Sequence, residues 1–159
     1  MRIGIGYDVH RLVHGCPLVL GGVMIDSEWG LEGHSDADVL LHAVGDALLG
    51  ALALGDLGQH FPDTDPRYRG ISSALLLEKV ISMVHEHAYR LHNIDAVIIA
   101  QKPRLALHIP AMRRNLADLL LTDVGSVSVK AKTAESLGAL GRGEGMAVHA
   151  VCLLTPYSL

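Results

Sequence analysis

The chain has 159 residues, of which 50% are hydrophobic and 4% aromatic, and its formal net charge is −4. This length and composition predict one domain over 1–159 with a sizeable core. The lack of a basic field and of aromatic stacking platforms argues against nucleic acid as a partner. Because we find no signal pattern and no apolar run long enough for a bilayer, we expect a cytoplasmic, reduced protein that does not bind membranes.

Residues 2–8 predict a strand with an unusual composition. Ile3 and Ile5 alternate with Gly4 and Gly6, and glycines inside a strand indicate that something approaches its backbone closely. The Gly-x-Gly pair lacks the third glycine and the strand-turn-helix context of a dinucleotide site. We therefore interpret the two glycines as a feature of strand packing.

The rest of the chain predicts an α+β fold. Periodicity and turn formers predict a strand over 18–25, a helix from about 38 to 55, a long loop over 56–70, a helix from 72 or 73 to about 89, a strand over 94–100, a helix over 109–121, a strand over 127–133, an irregular loop over 134–145 and a strand over 146–154. Ser35 and Asp38 form a capping-box-like start for the first helix. These elements fit a mixed sheet of four to five strands with three helices on one face. The last strand is apolar on both faces apart from His149, so we expect another copy of the chain to cover the second face, sheet to sheet.

Two short motifs supply three candidate metal ligands. Asp8 and His10 are two residues apart in a strand, so they point the same way, about 7 Å apart along the chain. His42 lies on one face of the predicted helix with Asp38 and Asp46, at intervals of four. Three protein ligands leave a position for water or substrate, as in catalytic zinc sites. Spacing alone leaves open the alternative that these side chains are only hydrogen-bonded.

The cysteines do not join this set. Cys16 and Cys152 have no paired spacing, which excludes a thiolate zinc knot and leaves nitrogen and oxygen donors. Among the other histidines, His34 is the informative one, because it directly precedes the predicted helix start.

Several motifs together resemble the 2-C-methyl-D-erythritol 2,4-cyclodiphosphate synthase family. They are Gly4-Ile5-Gly6-Tyr7-Asp8-Val9-His10, Gly33-His34-Ser35-Asp36-Ala37-Asp38 with His42, Phe61-Pro62-Asp63-Thr64-Asp65-Pro66, Lys130-Ala131-Lys132-Thr133 with Glu135, and Gly141-Arg142-Gly143-Glu144-Gly145. The resemblance covers the whole chain, and jointly the motifs are far more specific than any one alone. It implies a homotrimer, a fold resembling the small chorismate mutases, and active sites between neighbouring subunits.

The resemblance also implies a reaction. Members of the family convert 4-diphosphocytidyl-2-C-methyl-D-erythritol 2-phosphate into 2-C-methyl-D-erythritol 2,4-cyclodiphosphate and CMP, in the methylerythritol phosphate route to isoprenoid precursors. This is an intramolecular phosphoryl transfer, a metal-dependent lyase reaction. Because the second pKa of a phosphate monoester is about 6, the attacking phosphate needs no dedicated base. The protein mainly has to position the substrate and neutralise the charge on its phosphates.

Two metal ions follow from the same resemblance. Asp8, His10 and His42 would be zinc ligands, with a diphosphate oxygen of the substrate in the open position. Glu135 would hold magnesium or manganese bridging the two phosphates. The alternative for Glu135 is a solvated loop carboxylate.

Three further side chains near the phosphates have implied roles. His34 and Thr133 resemble catalytic residues that donate hydrogen bonds to phosphate oxygens in the transition state. The alternative for His34 is a contact at the helix N-terminus. Ser35 can cap the helix while the backbone N–H groups of the helix start favour an anion, and both roles can coexist.

The substrate contacts implied by the resemblance fall in separate segments. The methylerythritol portion would lie against Asp56, Leu57, Gly58, Phe61, Pro62, Asp63, Thr64 and Asp65. The cytidine portion would lie against Ala100, Gln101, Lys102, Pro103, Arg104, Leu105 and Ala106. Further substrate contacts are predicted at Lys132, Ala134 and Arg142. The alternative for the first segment is a capped acidic turn, and Asp46 is either a partner that orients the ligand-bearing helix or a solvated residue.

The pattern departs from the family at two positions. Ala139 replaces an aromatic residue that lines a cavity on the trimer axis of relatives, and His149 replaces an acidic residue. Arg142 and Glu144 remain, so an isoprenoid diphosphate on the axis and a salt bridge at the trimer interface are alternatives of equal weight.

Two rival functions use the same residues. A metal-dependent phosphohydrolase would hold hydroxide in the open metal position and attack an external phosphate ester. A noncatalytic nucleotide-binding oligomer would bind cytidine nucleotides without metal and without turnover.

Overall fold

The central sheet is built from strands at both ends of the chain. In a computed structural model, which describes residues 1–157, the strands are β1 (Arg2–His14), β2 (Leu18–Leu20), β3 (Val23–Ile25), β4 (Trp29–Leu31), β5 (Tyr89–Ile99), β6 (Val127–Lys132) and β7 (Gly145–Pro156). Five of them form a sheet of order β4-β1-β7-β5-β6, in which β5 and β6 run parallel and the other neighbours antiparallel. The mixed five-stranded sheet confirms the predicted α+β class.

The helices cover one face of this sheet. They are α1 (Val39–Ala51), α2 (Leu57–His60), α3 (Ser73–Glu86), α4 (Ile109–Leu119) and α5 (Gly138–Gly141). Helix α1 is apolar on nearly all sides and almost fully buried, because it lies between the sheet and α3. The core therefore sits between β1, β7, β5 and the three longer helices.

The glycines of β1 let α1 approach the strand backbone. A Cβ atom added to Gly4 would lie 1.9 Å from the carbonyl oxygen of Ala47, and one added to Gly6 would lie 1.9 Å from that of Ala43. The interpretation of these glycines as strand packing is therefore confirmed. Their contact also brings the far end of β1 next to the start of α1.

Several predicted boundaries are wrong. The predicted strand over 18–25 is a hairpin, β2 and β3, which turns at Gly21 and Gly22 with positive φ at both. The helix predicted to reach 89 ends at Glu86, because Ala88 adopts φ of 58° and Tyr89 begins β5. Strand β4 was not predicted, and the loops over 56–70 and 134–145 contain α2, a 3₁₀ turn and α5. Helices of four residues are too short to show the apolar period that reveals longer ones. Strand β1 also runs beyond residue 8, to His14, and β5 begins at Tyr89 rather than at 94.

Asp38, rather than Ser35, caps helix α1. The Asp38 carboxylate is fully buried and accepts hydrogen bonds from the backbone N–H groups of Leu40 and Leu41 and, at 2.9 and 2.7 Å, from those of Gly21 and Gly22. Burial raises the pKa of Asp38 to about 6, against the opposing effect of these hydrogen bonds. Asp38 therefore joins the β2–β3 hairpin to α1 and is not part of a polar stripe with the metal ligands.

We expect Asp38→Ala to lower the free energy of unfolding by at least about 3 kcal/mol. The substitution removes an N-cap, worth about 1 kcal/mol, and leaves two further buried N–H groups without an acceptor, at about 1–3 kcal/mol each. Urea denaturation measures the loss. Ser72→Ala is the control, because Ser72 caps α3 by accepting a bond from Ala74 alone. An equal loss in the two variants would contradict this account.

The second face of the sheet presents an apolar strip to solvent. Ile3, Ile5, Tyr7 and Val9 of β1 are 72%, 69%, 51% and 47% exposed, and Val151 of β7 extends the strip at 39%. Strips of this kind on one domain are typical of a surface that binds another protein. Within residues 1–157, no other part of the chain covers these side chains, as expected for the second face of the sheet.

Candidate metal centre

The structure brings the three predicted ligands together. Asp8 Oδ2 lies 2.9 Å from His10 Nε2 and 3.0 Å from His42 Nδ1. The two histidine nitrogens lie 3.2 Å from each other. The two β1 side chains point to the helix side of the sheet, and His42 comes from the first turn of α1. Among the described residues, these three form the cluster whose donors could share a metal ion.

The size of this triangle fits zinc. Zn–N and Zn–O bonds are about 2.0–2.2 Å, so neighbouring ligand atoms of a tetrahedral ion are about 3.3–3.6 Å apart. The observed sides of 2.9–3.2 Å need only a small expansion. Two imidazoles and one carboxylate are also a donor set that zinc accepts, and three donors leave the fourth position open.

Each histidine ring has its other nitrogen engaged, which orients the ring. His10 Nδ1 lies 2.8 Å from the carbonyl oxygen of Glu32, to which it donates. When the ring is neutral, Nε2 of His10 therefore carries the lone pair and faces the cluster. His42 Nε2 lies 2.8 Å from Ser73 Oγ and 3.1 Å from Ser35 Oγ. Such partners are usual for histidines that bind metals.

The electrostatics of the cluster favour a charged carboxylate. Burial alone would raise the pKa of Asp8, but hydrogen bonds from His10 and His42, which the two rings donate when they are protonated, outweigh burial and hold that pKa well below its usual range. For His10, burial lowers the pKa. The hydrogen bond to Asp8 and the negative charge of that carboxylate together have a larger effect, so the pKa of His10 is raised. The carboxylate is therefore ready to bind a cation. A bound metal would compete with protons for the two rings.

The cluster lies in a cavity of about 580 Å³. Of the residues predicted to bind substrate or metal, the cavity is lined by Asp8, His10, His34, Ser35, His42, Asp46, Asp56, Leu57, Gly58, Phe61 and Asp63. Tyr68, Ile71 and Leu76 also line it and were not predicted. These three are apolar or aromatic residues of ordinary core type, so the sequence offered no signal that would separate them from the core.

Three predicted residues of the 56–65 segment point elsewhere. Pro62, Thr64 and Asp65 are not part of the cavity lining. The Asp65 carboxylate accepts hydrogen bonds from Arg67, which lowers its pKa, and caps the 3₁₀ turn Pro66–Tyr68. For Asp65, the structure agrees with the alternative of a capped acidic turn.

The two aspartates on the cavity wall also shape α2. Asp46 Oδ1 accepts a bond of 2.8 Å from the backbone N–H of Leu57, and Asp56 caps α2 by accepting one of 2.9 Å from Gln59. Burial raises the pKa of Asp46, against the opposing effect of the bond from Leu57. Asp46 thus holds α2 against α1 and does not hydrogen-bond His42, whose ring nitrogens face other partners. That Asp46 is a partner of the ligand-bearing helix stays a prediction, and the contact seen here is the one to Leu57.

The remaining predicted residues lie at the same end of the sheet, several strands away. The register places Asp8 opposite Val148, Val148 opposite Ile98, and Ile98 opposite Ala131. Three strand spacings of about 4.8 Å separate β1 from β6, or about 14 Å. The predicted residues 132–135, at the end of β6, lie at about this distance, and the predicted residues 100–106, which follow β5, lie two spacings or about 10 Å from β1. One chain therefore does not bring them into the cavity of the metal cluster.

This second group has its own polar features. The Thr133 hydroxyl donates to Glu135 Oε1, at 2.5 Å. Gln101 Oε1 is buried and has no hydrogen-bond partner within residues 1–157. A buried acceptor without a donor costs about 1–3 kcal/mol, so this atom is a natural contact for a ligand's N–H group.

Arg142 and Glu144 pair with each other within the chain. Arg142 Nε lies 2.6 Å from Glu144 Oε1, and both side chains are exposed. Ala139 lies in α5, and His149 stacks on Tyr7 in the exposed strip, with ring centroids 4.7 Å apart. A bound isoprenoid diphosphate at these residues stays a prediction.

The fold and the donor cluster define an α+β domain that carries a candidate three-donor metal site of the His/Asp type. Within the described residues, no helix combines the length and the apolar character needed to cross a membrane. A family model, the YgbB family, matches residues 1–155. The chain therefore belongs to the YgbB family.

Known proteins agree with this assignment. The 2-C-methyl-D-erythritol 2,4-cyclodiphosphate synthase of Nitrosospira multiformis is 62% identical over 154 residues, which are 97% of this chain and 87% of the relative. The solved structure of the bifunctional IspDF from Campylobacter jejuni has a TM-score of 0.95 at 43% identity and covers 98% of this chain, which spans only 42% of that longer protein.

A second solved structure, of a 2C-methyl-D-erythritol-2,4-cyclodiphosphate synthase in a form bound to CDP, has a TM-score of 0.90 at 39% identity. It covers 97% of this chain, which spans all of that protein. The family resemblance predicted from the sequence motifs is thus confirmed.

Proposed function

We propose that the chain converts 4-diphosphocytidyl-2-C-methyl-D-erythritol 2-phosphate into 2-C-methyl-D-erythritol 2,4-cyclodiphosphate and CMP. The observation that carries the proposal is the triangle of Asp8, His10 and His42 donors at the wall of a cavity. Membership of the YgbB family and the names of close relatives supply the substrate and the reaction. Cytoplasmic localisation and a single cyclodiphosphate synthase domain over 1–159 are parts of the same proposal.

The donor triangle supports a metal-binding role for Asp8, His10 and His42, which would hold zinc. The role of Glu135 rests on the family resemblance: it would hold magnesium or manganese together with the substrate's diphosphate, since magnesium is usually held by one or two carboxylates and phosphates. When bound, these ions supply Lewis acidity and neutralise charge on the phosphates. The chain's own side chains perform the remaining steps.

The cavity residues position the phosphates and the sugar alcohol. His34 and Ser35 lie beside the cluster, where each can donate a hydrogen bond to a phosphate oxygen. Asp56 and Asp63 are acceptors for hydroxyl groups on the opposite part of the wall. The substrate carries nucleophile and target on one molecule, so holding it in a bent conformation removes most of the entropic cost of the reaction. The attacking phosphate oxygen is already ionised at neutral pH.

A complete site needs two copies of the chain. The metal half (the cavity) and the cytidine half (100–106 with 132–135) are about 10–14 Å apart in one chain, and the exposed strip of β1 and β7 is suited to packing against a neighbour. We assign a homotrimer with the arrangement of the small chorismate mutases, in which the cytidine half of a neighbour faces each metal half. Analytical ultracentrifugation at micromolar concentration tests this assembly, and a monomer alone would contradict it.

Thr133→Ala is expected to lower kcat at least about 10-fold while changing the affinity for CDP less than about 3-fold. One hydrogen bond to a charged transition state is worth about 1.5–3 kcal/mol, and a bond made mainly in the transition state acts on kcat. Steady-state kinetics and CDP titration measure the two quantities. Thr122→Ala, on a turn after α4, is the control. A large loss of CDP affinity with unchanged kcat would oppose the role.

The reaction itself is tested with the purified chain, zinc, magnesium and the cytidine-linked substrate. Phosphorus NMR should show CMP and a cyclic diphosphate appearing together. Phosphate released from simple phosphoesters, with no cyclic product, would instead identify a phosphohydrolase. CDP binding that survives removal of zinc, with no turnover of the substrate, would identify a noncatalytic nucleotide-binding protein.

A further inference from the structure

We infer that Ser73 and Asp36 are positioning residues that hold the His42 ring with Nδ1 facing the metal. The inference rests on the zinc site proposed above. Neither residue lines the cavity or belongs to the metal cluster. Both lie on the Nε2 side of the His42 ring, away from the metal cluster.

Successive hydrogen bonds connect His42 on α1, through Ser73 on α3, to Asp36 in the loop before α1. His42 Nε2 lies 2.8 Å from Ser73 Oγ. The Ser73 hydroxyl in turn makes a short hydrogen bond to Asp36 Oδ1, and both Asp36 oxygens accept the backbone N–H of Ser73 at 3.1 Å. Ser73 is only 1% exposed, so water does not replace these partners.

The direction of these bonds follows from the number of protons. A hydroxyl has one proton, and a carboxylate can only accept. Because Ser73 donates to Asp36, it must accept from His42, and Nε2 of His42 therefore carries the hydrogen. The lone pair of the neutral ring is then on Nδ1, the atom that lies 3.0 Å from Asp8 Oδ2. The Asp36–Ser73 pair thus selects the tautomer that binds a metal.

Ser35 is a weaker candidate for this role. Its Oγ lies 3.1 Å from His42 Nε2 and accepts a bond from the backbone N–H of Ala37. It has no carboxylate partner to fix the direction of its proton, and it also lies on the cavity wall. Ser73, in contrast, is the first residue of α3 and is tied to the loop before α1, where Asp36 N–H also donates to Ile71. Hydrogen bonds therefore tie the Asp36–Ser73 pair both to the start of α3 and to the loop before α1.

Ser73→Ala is expected to weaken zinc binding about 10- to 100-fold, the usual effect of removing a hydrogen-bond partner of a metal-bound histidine. Competition with a zinc chelator measures the affinity of the metal-free chain for zinc alone. Ser72→Ala is the matched control, because it removes the neighbouring hydroxyl, which caps the same helix without touching His42. The control should bind zinc within about 2-fold of the unmodified chain.

A spectroscopic measurement separates positioning from general loosening. In the zinc-loaded protein, the Nε2 hydrogen of His42 should be visible by proton–nitrogen NMR as a slowly exchanging signal. It should be lost or exchange fast in Ser73→Ala and persist in Ser72→Ala. Asp36→Asn keeps the shape and weakens the acceptor, so it should give an intermediate loss of zinc affinity, and it replaces Ser73→Ala if that variant does not fold.

The outcomes are distinct. If the unmodified chain does not bind zinc, the proposed metal site fails. If it binds zinc and neither Ser73→Ala nor Asp36→Asn differs from Ser72→Ala, the positioning role fails while the metal site stands. A loss confined to Ser35→Ala would also overturn the inference, since it would identify Ser35 as the partner.

Discussion

Replacing His42 with alanine is expected to remove most of the bound zinc and lower kcat/KM at least about 1,000-fold. His42 supplies one of three donors, and two donors hold zinc poorly in an open site. Metal-supplied charge stabilisation is worth several kcal/mol in such reactions, and about 4 kcal/mol corresponds to a factor of 1,000. The fold should survive, because His42 lies at the edge of the cavity, while the rest of α1 stays packed on β1.

Elemental analysis of the purified variant and a CMP-release assay measure these two effects together. His92→Ala is the control, since His92 is an exposed histidine on β5, far from the cluster in the sheet order. Ultracentrifugation should give the same assembly for both variants. Full turnover by a zinc-free His42→Ala protein would show that the reaction does not depend on the metal.

Gly6→Ala is expected to destabilise the chain by at least about 3 kcal/mol and to weaken the metal site as well. The added Cβ would lie 1.9 Å from the carbonyl oxygen of Ala43 and 2.7 Å from the backbone nitrogen of Ala47. Both obstacles are backbone atoms of α1, which no side-chain rotation can move, so the cost lies at the upper end of that for overpacking. The helix must shift away from β1, and His42 moves with it.

Urea denaturation and zinc titration measure the two consequences of this substitution. Gly125→Ala provides the comparison, because a Cβ at Gly125 would meet nothing within 4 Å. That substitution should change the free energy of unfolding by less than about 1 kcal/mol. A Gly6→Ala protein with unchanged stability would show that the contact between β1 and α1 is looser than the structure indicates.

The two substitutions concern one structural relationship, which the sequence indicated from both sides. Asp8 and His10 stand on the strand that carries Gly4 and Gly6, and His42 stands on the helix that packs against those glycines. Alternation predicted the shared direction of the two strand ligands, because side chains in a strand repeat every second residue. The glycines predicted that another element approaches closely, although they did not say which one.

Other parts of the site could not be derived from local pattern. The Asp38 side chain belongs by spacing to the same helix face as His42, yet it is buried as the cap of α1 and binds the hairpin of Gly21 and Gly22. Ser73 lies 31 residues from His42 in sequence. Only the packing of α3 beside α1 makes it a partner of that ring. Contacts at such separations have no periodic signature.

The sequence by itself determined the class of fold, the helices and strands with a strong apolar period, the family and the identity of the three donors. These properties depend on residue type and on regular spacing, which a single chain displays directly. The tertiary structure alone decided which nitrogen of each histidine faces the cluster and which aspartates shape α2 or cap helices. It also showed that the metal half and the cytidine half lie two to three strand spacings, about 10–14 Å, apart across the sheet. The reason is physical: hydrogen-bond partners and distances between segments are set by strand register and helix packing, and these bring together residues that are remote in sequence.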